Sequence, residues 1–403
     1  MKQRKAYKFR LKAKPYQKAI FQKQAGCCRF LWNKALASQK ERLDAGEKVL
    51  RYVEMAKLLT GWKREEETTF LAEAPSQTLQ QTLKFLDHAL MEAFDKKNPK
   101  QFPVFKKKGR TTDSFRYPQG FKLDGDRMYL PKIGWVRFIK SRDIEGIARN
   151  ITVSRRGEHW YLSIQTEMEV AEPVHPATSA VGIDLGIARL ATLSDGSFLE
   201  PLNSFKGKAK RLAVAQRSLA RKVKFSANWQ KQKAKITRIH IKVADARNDY
   251  LHKASTTISK NHAIVVLEDL RVKNMSASAK GNVEAPGRNV RAKTGLNKAI
   301  LDQGWFEFRR QLEYKQAWRG GEVIAIPPQY TSQTCPACGH IAACNRKSQA
   351  KFACVSCGFH EHADLVAACN ILAAGLAVSA CGESALSGHS VKQEPTEGLR
   401  LVA

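Results

Sequence analysis

The chain is short of negative charge, of long apolar runs and of any secretory leader. Its 403 residues carry 69 Lys and Arg against 37 Asp and Glu, a formal net charge of +32. A compact fold with that imbalance repels itself unless a polyanion neutralises it. The expected partner is therefore DNA, RNA or both, held largely through phosphates. Charge by itself fits equally a ribosomal or chromatin-like binder without chemistry. No run approaches the roughly 18 consecutive apolar residues of a spanning helix, which argues against a membrane partner. Met1 to Phe9 is basic and lacks the apolar stretch and small-residue cleavage site of a secretory signal, so a cytoplasmic location is expected. The nine cysteines are an odd count, four of them in paired motifs and the rest scattered. That favours a reducing compartment with a metal site over a disulfide framework. No long internal repeat is present.

The N-terminal hundred residues read as helical. Pro15 suits a first helical turn, and Tyr16, Ala19, Ile20, Cys27, Phe30 and Leu31 fall near helical spacing. Leu79, Leu83, Leu86 and Leu90 form a cleaner stripe that Phe94 continues, the pattern of core packing. From about Phe102, prolines and glycines punctuate short alternating runs such as Trp160, Leu162 and Ile164. These predict antiparallel strands closing into a small barrel. Glu172 to Ser179, with two prolines, reads as a linker. Val181 to Gly186 is then a strand, Arg189 to Leu193 its hairpin partner and Phe198 to Leu202 a third strand. Helix follows over Phe205 to Ser259, and Ala263 to Leu267 is an apolar strand. Asn274 to Asn297 is polar and Gly-rich, functional or mobile. Leu301, Trp305, Phe308 and Leu312 mark a helix, Val323 to Ile326 a strand and Asp364 to Ala374 a helix. No pattern is visible after Ser379, which predicts disorder.

Cys335-Pro-Ala-Cys338 is followed, after fifteen intervening residues, by Cys354-Val-Ser-Cys357, each pair trailed by a glycine. Two such knuckles at this separation are the sequence form of a tetrahedral four-thiolate zinc site; a redox pair is the weaker alternative. Four sulfurs leave no open position, so one structural Zn²⁺ is expected. Cys344, His340, His360 and His362 lie nearby as non-ligands.

Three carboxylates stand where charge is costly. Asp184 lies inside Val181-Gly-Ile-Asp-Leu-Gly186, Glu268 ends Ile264-Val-Val-Leu-Glu268, and Asp364 opens a helix just after the second knuckle. A charge in an apolar strand needs a partner or a metal. Phosphodiester hydrolysis commonly uses two divalent ions about 4 Å apart, and carboxylates are their natural ligands. Singly, each has a structural reading: Asp364 can cap its helix, and a strand-end Glu is common. Asp269, beside Glu268, is the decoy. The order of elements, a hairpin with the first Asp, helix, strand ending in Glu, helix, strand, then helix with the last Asp, is that of an RNase H-like core. The zinc ribbon is an insertion before the final helix.

Between Lys206 and Lys242 there are 13 Lys and Arg and no acidic residue. Solvated faces normally mix both signs, so this run favours nucleic acid, with Arg211, Arg217, Arg221, Lys222 and Lys224 as contacts. Phe225 and Trp229 are placed either to stack on bases or to pack.

Gly182-Ile-Asp-Leu-Gly186, Val266-Leu-Glu-Asp-Leu270 with Lys273-Asn-Met275, and Tyr330-Thr-Ser-Gln-Thr-Cys-Pro-Ala-Cys-Gly339 together resemble the transposon-encoded TnpB (OrfB) family, relatives of type V CRISPR effectors. Ala363-Asp-Leu-Val-Ala-Ala-Cys-Asn-Ile371, Tyr7-Lys-Phe-Arg10, Arg29-Phe-Leu-Trp-Asn33 and Phe102-Pro-Val-Phe-Lys106 extend the likeness over nearly the whole chain. The resemblance implies an RNA-guided endonuclease of a mobile element, linked to transposition and DNA recombination. Such an enzyme binds a transposon-end guide RNA, has double- and single-stranded target DNA as partners, and cleaves both strands beside a short motif in one Mg²⁺-dependent RuvC-like site. Asp184, Glu268 and Asp364 fall at its catalytic, metal-binding positions. It also implies a multidomain α+β architecture: residues 1–12 and 102–175 a wedge β-barrel, 13–101 a helical recognition lobe, 176–330 and 362–378 the RuvC-like domain. Residues 331–361 would be a zinc ribbon on the target nucleic acid, and 379–403 a disordered tail. Association with the nucleoid accompanies DNA binding. Two departures stand out: Val366 replaces a frequent Asn, and Leu11-Lys-Ala-Lys-Pro15 is altered. A non-catalytic RNA-guided regulator and a guide-independent structure-specific nuclease are the rival readings.

Overall fold

In the first strand Gln3, Tyr7 and Phe9 are buried while Lys2, Arg4, Lys8 and Arg10 face solvent, the period-two pattern of a half-buried strand. The computed structural model describes residues 1–97 and 100–386, with side chains to residue 380. They divide into two units, Met1–Ala171 and Glu172 onward.

The first unit runs β1 (Lys2–Arg10), α1 (Pro15–Asp44), α2 (Tyr52–Trp62), α3 (Ser76–Ala93), β2 (Ser114–Tyr117), β3 (Lys122–Asp124), β4 (Arg127–Leu130), β5 (Gly134–Arg137), β6 (Ile147–Arg156) and β7 (His159–Glu169). Its strands make a four-stranded antiparallel sheet, β1-β7-β6-β2, and a three-stranded one, β3-β4-β5, joined to it by an antiparallel bridge between Leu11 and Phe138. Among the described residues no closed barrel forms, against expectation. A sheet closes on itself to bury its inner face; here α1 covers that face, with Phe21 edge-on to Trp160 at 5.2 Å and 6.1 Å from Phe115. The Leu79, Leu83, Leu86 and Leu90 stripe of α3 is fully buried, but Phe94 leaves it and meets Phe102 at 6.0 Å. In α1 the buried stripe runs through Phe21, Ala25, Cys28, Leu31 and Leu36, while Tyr16 and Phe30 are exposed.

The second unit contains β8 (Ala180–Asp184), β9 (Ala191–Leu193), β10 (Phe198–Leu199), α4 (Ala209–Ala220), α5 (Ala227–Asn261), β11 (Ile264–Glu268), α6 (Val272–Met275), α7 (Val290–Gln303), α8 (Trp305–Arg319), β12 (Glu322–Ile326), β13 (Lys351–Ala353), β14 (His360–His362) and α9 (Ala363–Leu386). Five strands form one mixed sheet in the order β10-β9-β8-β11-β12. β8, β11 and β12 are parallel, and β8-β9-β10 antiparallel. Val181, Ile183, Val265 and Leu267 pack on one face against Leu251, Ile258, Phe308 and Leu312 of α5 and α8. On the other face Val266, Ile324 and Ile326 meet Ile371 of α9. Leu301 belongs to α7, which Gly304, at φ 77°, separates from α8.

α9 continues through residues 379–386, where no pattern was legible; residues 387–403 of the expected tail lie outside the described residues. By length and composition Ala363–Ala380 could cross a membrane, contrary to the sequence reading. Its first half is apolar for a nearer reason, since Ala363, Val366, Ala367, Ala368 and Ile371 are buried within this unit, while Leu376 and Val378 farther along are exposed.

Candidate functional site

Strand alternation decides where the carboxylates point. β8 and β11 pair in parallel register, Ile183 beside Leu267, so Asp184 and Glu268 end adjacent strands. Side chains two apart share a face. A Cβ on Gly182 would run into Ala368 and Leu372 of α9, and one on Gly375 into Val266. Asp184 and Glu268 therefore face α9. On that helix Asp364 lies one turn before Ala368, on the same side. The structure thus brings Asp184, Glu268 and Asp364 to one edge of the sheet.

Electrostatics record the convergence. Burial, and then the charges of Glu268 and Asp364, push the Asp184 carboxyl up to about 7, against the pull of Arg346. Burial raises Glu268 as well, opposed by the Thr331 hydroxyl and Arg346. Thr331 Oγ1 donates to Glu268 Oε1 at 2.6 Å, and Asn370 Nδ2 holds the Thr331 and Thr334 carbonyls at 2.8 and 2.7 Å. Arg346 Nη2 reaches Asp364 Oδ1 at 3.4 Å. Asp184, pushed up by burial and by two neighbouring carboxylates against the pull of Arg346, could with them hold a divalent cation, which would relieve that repulsion. Thr331, Arg346 and Asn370 were not singled out in the sequence. Asp269 faces the other way and pairs with Arg309 at 2.5 Å.

The four cysteines of the two knuckles form a second centre. Among the described residues they are the one group of three or more whose ligand atoms lie within 4.8 Å of one another. The Sγ pairs Cys335–Cys357 and Cys338–Cys354 are 3.7 and 3.6 Å apart. A tetrahedral zinc with bonds of about 2.3 Å requires roughly 3.8 Å between sulfurs, so the donors fit. Both knuckles make the same turn: Gly339 N–H bonds to the Cys335 carbonyl and Gly358 N–H to that of Cys354, each glycine at positive φ. Cys335, Cys354 and Phe352 share a small core with Ala363 and Val366 of α9. Val366 is thus an apolar contact between ribbon and helix. His362 Nδ1 accepts from the Asp364 backbone N–H at 3.3 Å, and Cys344 is exposed.

The basic run folds into a hairpin of α4 and α5, closed by Leu212, Ala215 and Ile239. Between the helices lies a cleft of about 560 Å³, lined by Lys208, Arg211, Lys222, Lys231, Lys235 and Lys242 among others, with no carboxylate. Arg211 and Lys222 line it; Arg217, Arg221 and Lys224 are exposed around the turn.

A protein of Escherichia coli (strain K12) named "Putative RNA-guided DNA endonuclease InsQ" is 56% identical over 100% of both chains. The chain belongs to the transposon-encoded OrfB, or TnpB, family. A Streptomyces pristinaespiralis relative, "Putative RNA-guided DNA endonuclease", is 36% identical over 97% of this chain and 96% of its own. Family models described as "Probable transposase" and "Cas12f1-like, TNB domain" match residues 163–279 and 305–371. A third, "Helix-turn-helix domain", matches residues 1–48, where this TnpB-family chain has a strand and one long helix. A solved Cas12f1–sgRNA–target DNA complex shares the fold, with TM-score 0.52 and 16% identity over 89% of this chain and 83% of that chain.

Proposed function

We propose that this TnpB-family protein is an RNA-guided, Mg²⁺-dependent DNA endonuclease acting in the bacterial cytoplasm. The observation that carries the reading is the convergence of Asp184, Glu268 and Asp364 on one sheet edge, where burial and then the charges of Glu268 and Asp364 raise the Asp184 carboxyl. The second unit is an RNase H-like, RuvC-like nuclease domain, and Asp184, Glu268 and Asp364 would hold two Mg²⁺ ions, whose contribution there would be to activate water and offset charge on the leaving oxygen. The chain's own residues orient the site. Thr331, tied down by Asn370, fixes Glu268, and Arg346 offsets negative charge at Asp364. The four cysteines hold one structural Zn²⁺, and their ribbon packs on the helix that carries Asp364. Guide RNA and target DNA bind through the basic surfaces, including Arg211, Arg217, Arg221, Lys222 and Lys224.

The test is cleavage of guide-matched DNA by protein reconstituted with guide RNA, beside a binding assay, with Mg²⁺ and with chelator. Asp184→Ala should keep RNA and guide-directed DNA binding while cleavage falls by orders of magnitude. Full cleavage by that variant, or by the parent in chelator, refutes the metal-centred reading. Cleavage indifferent to guide sequence removes the RNA-guided part alone.

A further inference from the structure

The α4–α5 hairpin carries two features that duplex binding does not explain. The first is its turn. Phe225 adopts a left-handed backbone, φ 69°, a conformation unfavourable for a bulky side chain, and its ring is 68% exposed. Trp229 lies 5.5 Å away, Lys224 sits over the Phe225 ring and Lys233 over the Trp229 ring. The second is direction. Only two residues separate α5 from β11, and Leu251, Ala254 and Ile258 pack on the sheet beside Val265 and Leu267, so the helix runs back along the strand. Five strand residues span roughly 17 Å and about eleven helical residues cover the same length. Residues of α5 before about 250 therefore project past the edge where Asp184 and Glu268 lie. Asp302 fixes the other arm at its root, accepting from the Phe205 and Lys206 backbone N–H groups at 2.9 and 3.2 Å.

We infer that this hairpin is a binding site for single-stranded DNA, with phosphates in the lysine-lined cleft and an unpaired base on Phe225. A duplex hides its base faces, so an exposed ring beside a phosphate cleft gains contact only with an unstacked strand. The overhang starts the cleft, at Lys242, about 12 Å past the carboxylate edge and carries its phosphate-binding wall outward from there, which favours DNA on its way to that edge over a guide RNA. The bland alternative is that Phe225 serves only to pack on Trp229 at the start of α5. The inference rests on the nuclease reading above.

The experiment uses the full chain assembled with guide RNA and a short single-stranded DNA carrying 2-aminopurine, unrelated to the guide, so that base pairing plays no part. Binding should quench the probe and be stronger than for blunt duplex DNA or RNA of the same sequence. Phe225→Asn suits the left-handed backbone, so thermal stability should hold or rise while single-strand affinity falls about tenfold and the quench disappears. Phe225→Trp should retain both. Lys231→Gln with Lys235→Gln should shallow the salt dependence without abolishing the quench. Unchanged single-strand binding by Phe225→Asn overturns the inference. So does RNA or duplex binding that is tighter and equally dependent on Phe225. Cleavage of guide-matched DNA by the parent separates the two failures, since its absence strikes the nuclease reading and not the stacking site.

Discussion

Glu268 and Asp269 are neighbouring carboxylates that a one-residue step sends to opposite faces of the sheet. Glu268 is partly buried toward α9; Asp269 is an exposed partner of Arg309, a pair worth at most about 1 kcal/mol. Glu268→Gln, which keeps shape and loses charge, should cut guided cleavage by orders of magnitude, whereas Asp269→Asn should leave it within a few-fold. Equal losses in a single-turnover assay would contradict the alternation argument. Thr331→Val removes the hydroxyl held 2.6 Å from Glu268 and nothing of similar bulk. Its expected effect is about a tenfold slower chemical step with an unchanged melting temperature. A charge at the end of an apolar run is legible in sequence because burial makes it anomalous. Thr331, Arg346 and Asn370 gave no such signal: hydroxyls, arginines and amides in loops and helices are ordinary until the fold aims them.

At the scale of elements, the close approach of α9 to β8 is written in glycine. A Cβ at Gly182 would meet the backbone of Ala368 and Leu372, neither of which can rotate away. Gly182→Ala should therefore destabilise the second unit by about 1–3 kcal/mol, seen as a lower melting temperature, and displace Asp364 enough to weaken cleavage. The ribbon reaches the same helix through Val366, buried with Cys335 and Cys354. Cys354→Ser should lose the zinc, measured by elemental analysis, and open residues 331–362 to limited proteolysis, because metal binding supplies the folding energy of so small a unit. A zinc-free parent protein, prepared without chelator, would remove the basis of that expectation. Many element types are legible from periodicity, and the α3 stripe holds up to Leu90, but residues 290–297, expected within a polar Gly-rich stretch, open helix α7. The α1 register slipped because that helix is buried on more than one side, with Cys27 and Trp32 flanking the main stripe. Barrel closure was not legible, since alternation reports that a strand has an inner face and not whether a helix such as α1 or another strand covers it.

For the whole molecule the governing quantity is the charge of +32. It was legible at once, because composition needs no fold, but its placement was not. The structure concentrates part of it in the α4–α5 cleft, where Lys222 is a wall residue while Arg217, Arg221 and Lys224 stand outside around the turn. Each phosphate contact contributes about 0.9 to the log–log salt slope on duplex DNA and about 0.7 on a single strand. Neutralising Arg217, Arg221, Lys222 and Lys224 together should reduce the slope by about 3 if all four touch phosphates, and by about 1 or less if only the cleft residue does. Titrating affinity across salt for the quadruple variant and for Lys222→Gln alone separates these cases. The quadruple variant matching the single one would confine phosphate contact to the cleft, and an unchanged slope in both would reduce the run to a solvated face. Because a polyanion also relieves the self-repulsion of the free chain, the quadruple variant should melt at the same or a higher temperature than the parent in low salt, with the difference vanishing as salt screens the charge. Lower stability at every salt concentration would instead mean that these side chains pack the hairpin.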